Sequence, residues 1–133
     1  MGLHQAIKFS AAGEKLLELG TRLTPGSGPA AFCKPTQVAV GRDGSVYVAD
    51  GYCNSRVARF NASGAWQRDY SMPEGEGAMG VPHSVVVAEC RGRLVVADRE
   101  GGAVHAFDLD SGRLEGGEGK GAGEGKGEWR QRR

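Results

Sequence analysis

The sequence lacks any long apolar run. None approaches the ~20 residues a helix needs to cross a bilayer, so no transmembrane segment is expected. It also lacks an excess of either charge. Seventeen Lys and Arg stand against sixteen Asp and Glu, for a net charge of +1. No global field draws such a chain to nucleic acid or to anionic membrane, and no nucleic-acid partner is expected. The opening residues, Met1 to Gln5, lack a basic stretch followed by an apolar one, so no signal peptide is expected. Gly2 invites a myristoylation reading, but Ala6 stands where that signal needs Ser or Thr. Cysteines are few: Cys33, Cys53 and Cys90. An odd count leaves at least one thiol without a partner inside the chain.

What the sequence has in abundance is glycine. There are 23 in 133 residues, well above an average of about 7%. No strict G-X-Y period runs through them, which excludes collagen. Fifteen lie in residues 1–111, and eight crowd into Gly112–Gly127. The body and the tail are different materials. The length allows a single domain.

The body repeats itself. Pro35-Thr-Gln-Val-Ala-Val and Gly44-Ser-Val-Tyr-Val-Ala-Asp50 match Pro82-His-Ser-Val-Val-Val and Gly92-Arg-Leu-Val-Val-Ala-Asp98. Each unit continues into a third segment, Arg56–Phe60 or Ala103–Phe107, and closes on a Gly-containing turn. A partial third copy opens the chain at Gln5–Phe9. Phe9, Phe60 and Phe107 share one repeat position. Short β-branched runs separated by Gly, Asp, Asn and Ser turns read as strands. Four antiparallel strands in ~40–50 residues is the period of a β-propeller blade. The fold class is therefore all-β, a β-propeller. The segment VYVADGYCNSRVARF matches an NHL-type blade, in which the strand-end Asp can cap the N–H groups of the next turn.

Residues 1–24 read as the end of a preceding blade, 25–80 as one blade and 81–114 as an incomplete one. Residues 115–133 hold nine charged residues and seven glycines among nineteen. That composition cannot offset the entropy of ordering, so the tail is expected to be disordered. Closed propellers need at least four blades. The two open radial faces expose apolar surface and strand edges, so missing blades are expected to matter for stability.

Candidate polar residues fall at corresponding ends of the repeats: Tyr52, Cys53, His83 and Arg99. Strand ends on one face of a propeller converge on its axis. His83 enters an innermost strand and reads either as a structural residue or as one zinc ligand of several. Tyr52 and Arg99 follow the repeated Asp50 and Asp98. They read as surface turn residues, or as a phenol activated by a neighbouring guanidinium. Cys33 and Cys53 flank one hairpin unit. They are either free thiols or, as blade geometry favours, a disulfide. His4 and His105 are poor candidates, and Cys90 has no evident partner.

At the segments PGSGPAAFCKPTQVAV, VADGYCNSRVARF, VPHSVVVA and VADREGG the chain closely resembles peptidyl-α-hydroxyglycine α-amidating lyase, the lyase half of peptidylglycine α-amidating monooxygenase. The resemblance runs from about His4 to Leu114. It implies a six-bladed propeller, of which this chain holds about two and a half blades. It implies a catalytic zinc, a structural calcium and a place in the secretory granule lumen or outside the cell. The implied reaction converts peptidyl-α-hydroxyglycine to an amidated peptide and glyoxylate, in the maturation of neuropeptides and hormones. The implied roles are Tyr52 as catalytic base, Arg99 as active-site arginine, His83 as a zinc ligand, and Cys33–Cys53 as the disulfide beside the tyrosine. A second family disulfide maps to Val95 and Ala106, and is absent. The remaining zinc histidines and the calcium ligands lie in blades outside this chain. The chain alone is expected to be inactive. The alternatives are a non-enzymatic NHL-repeat interaction module and a truncated isoform.

Overall fold

The computed structural model describes residues 2–119. Among them, ten strands form three antiparallel sheets. The first is a hairpin of β1 (Ala6–Phe9) and β2 (Lys15–Leu19). The second is a four-stranded meander of β3 (Gln37–Val40), β4 (Val46–Asp50), β5 (Arg56–Phe60) and β6 (Trp66–Tyr70). The third repeats it with β7 (Pro82–Ala88), β8 (Arg93–Asp98), β9 (Ala103–Asp108) and β10 (Leu114–Gly119). A short 3-10 turn, Glu89–Arg91, joins β7 to β8. The arrangement is that of consecutive propeller blades.

The turn between the third and fourth strands recurs three times. Gly13, Gly64 and Gly112 sit there with φ of 84°, 90° and 74°. A side chain would be strained in that left-handed region, and glycine is not. The same residue therefore closes the same turn in each copy.

The sheets stack face to face. Between the hairpin and the first full blade, Leu19 and Phe32 pack with Val46, Val48, Ala58 and Phe60. Phe32 and Phe60 meet edge to face, with ring centroids 5.8 Å apart. Between the two full blades, Tyr47, Ala49, Val57 and Tyr70 pack against Val85, Leu94, Val96 and Phe107. The Tyr70 hydroxyl also donates to the Leu109 carbonyl at 2.5 Å. All five residues of β4 are buried, because both its faces are covered. In β8, buried and half-buried residues alternate, because among the described residues no sheet packs on its outer face.

The C-terminal boundary is corrected by the structure. The third sheet is a complete four-stranded blade, and its last strand runs to Gly119, inside the segment expected to be disordered. Strand pairing here draws on main-chain groups, which a glycine-rich sequence supplies as well as any other. Gly117 and Gly119 lie close on β9. A Cβ at Gly119 would stand 2.5 Å from that of Ala103. Glu115 adds an ion pair to Arg93 at 2.6 Å. The rest of the expected tail, 120–133, lies outside the described residues.

Candidate active site at the Tyr52–Arg99 junction

The loop after β4 carries Tyr52, and the loop after β8 carries Arg99. Stacking of the two blades brings these equivalent loops together. Arg99 Nη1 donates to the Tyr52 hydroxyl at 3.2 Å. Its guanidinium carbon also lies 5.3 Å from the centre of the Tyr52 ring. His83, the second residue of β7, meets the same ring edge to face at 6.3 Å between centroids. The structure thus brings together Tyr52, His83 and Arg99, three of the four polar residues singled out by the repeat, and the fourth, Cys53, lies in a disulfide. Arg99 Nε donates to Glu100 Oε1 at 2.9 Å. The hydrogen bond to Tyr52, and next that to Glu100, hold Arg99 above its ordinary pKa, so it is a permanent cation.

Tyr52 is the exposed tyrosine, at 48%. The other two are buried and unsuited to proton transfer. Burial pushes Tyr47 up to about 12 and raises Tyr70 as well.

A buried frame fixes the Tyr52 loop. Cys33 and Cys53 form a disulfide, with Cα atoms 5.3 Å apart, so the residue after Tyr52 is tied to the preceding connection. Arg56, on β5, donates through Nε to Asp50 Oδ2 at 3.1 Å and through Nη1 to Asp69 Oδ2 at 3.1 Å. Its Nη2 donates to the carbonyls of Gly28 at 3.0 Å and Ala31 at 2.7 Å. Asn54 joins in, donating to Gly26 O and to Asp50 Oδ2, both at 2.7 Å. Asp50 takes the Cys33 N–H at 2.8 Å. Each buried charge therefore has partners, which is the condition for burying it. The repeat pattern pointed to Asp50, but it did not show that Arg56 and Asn54 together staple the 26–31 connection to the blade.

Asp98 does more than cap its own turn, whereas Asp50 is met by Asn54, Arg56 and the Cys33 N–H. Asp98 takes the Gly101 N–H at 3.0 Å, as expected. It also takes the N–H groups of Gly80 at 2.9 Å and Val81 at 2.7 Å, from the preceding connection. Burial raises its pKa, but these three hydrogen bonds outweigh that and leave it below the ordinary value.

The first full blade also grips the strand that carries His83. Gln37 Oε1 accepts the Val85 N–H at 2.6 Å. The Thr36 hydroxyl lies 3.1 Å from the Pro82 carbonyl. Gly51 permits the approach, because a Cβ there would fall 2.2 Å from that same carbonyl. His4 is buried and structural, its Nδ1 accepting the Lys34 N–H at 3.0 Å. His105 Nε2 lies 3.7 Å from Asp98 Oδ2. Val95 and Ala106 face each other as a cross-strand pair. Cys90 is an exposed free thiol.

The arrangement can hold a carboxylate on Arg99 and present a phenol beside it. It does not fit a complete metal centre. Among the described residues, no three His, Cys, Asp or Glu side chains converge. One imidazole cannot hold a catalytic zinc, which takes three protein ligands.

Known proteins resemble the chain in sequence and in fold. The NHL repeat family matches residues 32–60. The chain is 43% identical over 101 residues to peptidyl-α-hydroxyglycine α-amidating lyase 2 of Drosophila melanogaster, covering 75% of this chain and 25% of that protein. It is 41% identical over 120 residues to peptidyl-glycine α-amidating monooxygenase A of Xenopus laevis, covering 84% of this chain and 13% of that protein. Among solved structures, a streptogramin B lyase superposes with a TM-score of 0.63 at 18% identity, over 86% of this chain and 33% of that one. That likeness shows the propeller fold alone. The chain spans a third or less of each of these proteins. By sequence, it is a homologue of one segment of the peptidyl-α-hydroxyglycine α-amidating lyases.

Proposed function

We propose that this chain supplies the tyrosine–arginine part of an amidating-lyase site. The substrate is a peptide ending in α-hydroxyglycine, and the products are the amidated peptide and glyoxylate. The observation that carries this reading is the Arg99–Tyr52 hydrogen bond, made between two loops 47 residues apart in a segment homologous to such lyases.

The chemistry follows from the pair. Arg99 offers its remaining amino group, Nη2, to the substrate carboxylate. The Tyr52 oxygen, next to that cation, takes the proton of the substrate hydroxyl. The O–H electron pair becomes the second bond of the new carbonyl. The C–N pair stays with the amide nitrogen, which takes up the proton that the Tyr52 hydroxyl gives up in exchange. Peptide amide and glyoxylate result, with no atom added or lost.

His83 contributes at most one ligand to the zinc implied by the resemblance. The other donors, and the calcium site, would lie beyond the described residues, and no step here runs through either ion. This chain alone should therefore not turn over. The Cys33–Cys53 bridge fits an oxidising compartment, in keeping with a secretory location.

The test is a chimera in which residues 4–114 replace the matching segment of the Drosophila lyase. It should release glyoxylate and amidated peptide in equal amounts from a synthetic peptidyl-α-hydroxyglycine. Arg99→Ala should raise KM at least tenfold by loss of the carboxylate contact. A folded chimera that releases no glyoxylate would overturn the reading.

A further inference from the structure

We propose that Asn61 is a site of N-linked glycosylation, with an oligosaccharide joined through its reducing-end sugar to the side-chain amide. The proposal rests on the secretory location proposed for this chain, and not on the chemistry assigned to Tyr52 and Arg99.

Asn61-Ala62-Ser63 is an Asn-X-Ser acceptor sequence without proline at X, and it occurs once in the chain. Such a sequence needs a surface loop. This one lies in the turn between β5 and β6. Ala62 and Ser63 are exposed, and Asn61 is half-buried. Asn61 Oδ1 accepts the Ser63 N–H at 3.1 Å and the Ala65 N–H at 2.9 Å. Two donors on that atom fix it as the oxygen of the amide. Among the described residues Nδ2 has no hydrogen-bond partner, and it is open to solvent. The Ser63 hydroxyl has no partner there either.

The fold does not call for an amide at this position. Ser10 and Asp108 open the equivalent turns of the other two sheets. Ser10 Oγ accepts the Glu14 N–H at 3.1 Å, and Asp108 Oδ1 accepts the Ser111 N–H at 2.7 Å. The turn uses one side-chain oxygen and nothing more. Asn61 supplies that oxygen and carries an idle NH2 group as well, two residues before an idle hydroxyl. The position also suits a bulky group. Strand β5 runs from Arg56, on the Tyr52 side, to Phe60. Five residues of strand, roughly 17 Å, therefore separate the Asn61 turn from the Tyr52 loop.

The transfer is a substitution at the anomeric carbon of a lipid-linked oligosaccharide pyrophosphate. Nδ2 forms the new bond to that carbon. The bond from the carbon to the pyrophosphate oxygen breaks, and its electron pair leaves with the lipid pyrophosphate. One Nδ2 proton goes to a base of the transferase.

The test places the whole chain behind a cleavable signal sequence and translates it in vitro with microsomes. Protease added outside identifies the chain that entered the lumen. That protected chain should run as a slower band, which peptide N-glycosidase collapses while converting Asn61 to aspartate in the mapped peptide. Asn61→Gln and, separately, Ser63→Ala should each abolish the slower band. The modified chain should also contain the Cys33–Cys53 bridge, so that glycan and fold coexist. Protected chain with Asn61 unmodified would overturn the proposal. So would a slower band that survives Ser63→Ala, or a bridge confined to unmodified molecules. Glyoxylate release plays no part in the readout, so failure of the lyase reading leaves this result standing.

Discussion

The two four-stranded blades carry one strand pattern but are fastened in different ways. In the β3–β6 blade, Asp50 meets a buried Arg56 and a disulfide lies beside it. In the β7–β10 blade, Ala103 stands at the Arg56 position, opposite Asp98 as Arg56 stands opposite Asp50. Main-chain N–H groups from two loops satisfy Asp98 instead. The first blade is covered on both faces and the second on one. The difference teaches that the repeat fixes the strands, while the neighbours and the loops fix the chemistry. Tyr52 sits in the stapled loop, and Arg99 reaches it from the lighter one.

The comparison can be broken most severely at Arg56. Arg56→Ala leaves Asp50 buried without its counter-charge, at a cost of about 3–5 kcal/mol. Urea unfolding followed by circular dichroism should show the midpoint fall, or the fold lost outright. Removing the bridge comes next. Cys33→Ser with Cys53→Ser opens a loop of 20 residues, worth about 3 kcal/mol in the chain-entropy model. Peptide mapping without reductant should first show Cys33 joined to Cys53. Two alkylated thiols there would remove the basis of this expectation.

Asp98 sharpens the contrast through pH. Its folded pKa lies below the ordinary 3.8. Its contribution is therefore full above that value and is lost as pH falls through the folded one. Asp98→Asn should cost about 1–3 kcal/mol at neutral pH and flatten the fall in stability below about pH 4. The smallest effect lies on the open face. Val86 is 61% exposed, and Val86→Asp should change stability by less than about 0.5 kcal/mol. Ala39→Asp, at the equivalent position of the covered blade, buries a charge against the core and should cost several times more.

Much of this was legible in the sequence. The strand pairs of both blades follow from the repeat, and its period of four strands leaves room for the fourth strand of the first, Trp66–Tyr70. Tyr52, His83 and Arg99 were marked by their repeat positions, and stacking the blades brings them together. Two features were not legible. Strand β10 has no apolar pattern to read, because its pairing is made by backbone and by glycines that let β9 approach. Arg56 reads as an ordinary strand arginine. Its partners lie 25 and 28 residues away in an irregular connection whose path no periodicity reveals.

The central claim is that Tyr52, held against Arg99, performs the proton transfer. Its most direct test is steady-state kinetics of glyoxylate release by the chimera carrying Tyr52→Phe. The phenyl ring keeps the packing and removes the oxygen. The account predicts that kcat falls at least a hundredfold, within the range for a general base, while KM stays within a few-fold. An unchanged kcat in the folded variant would contradict it.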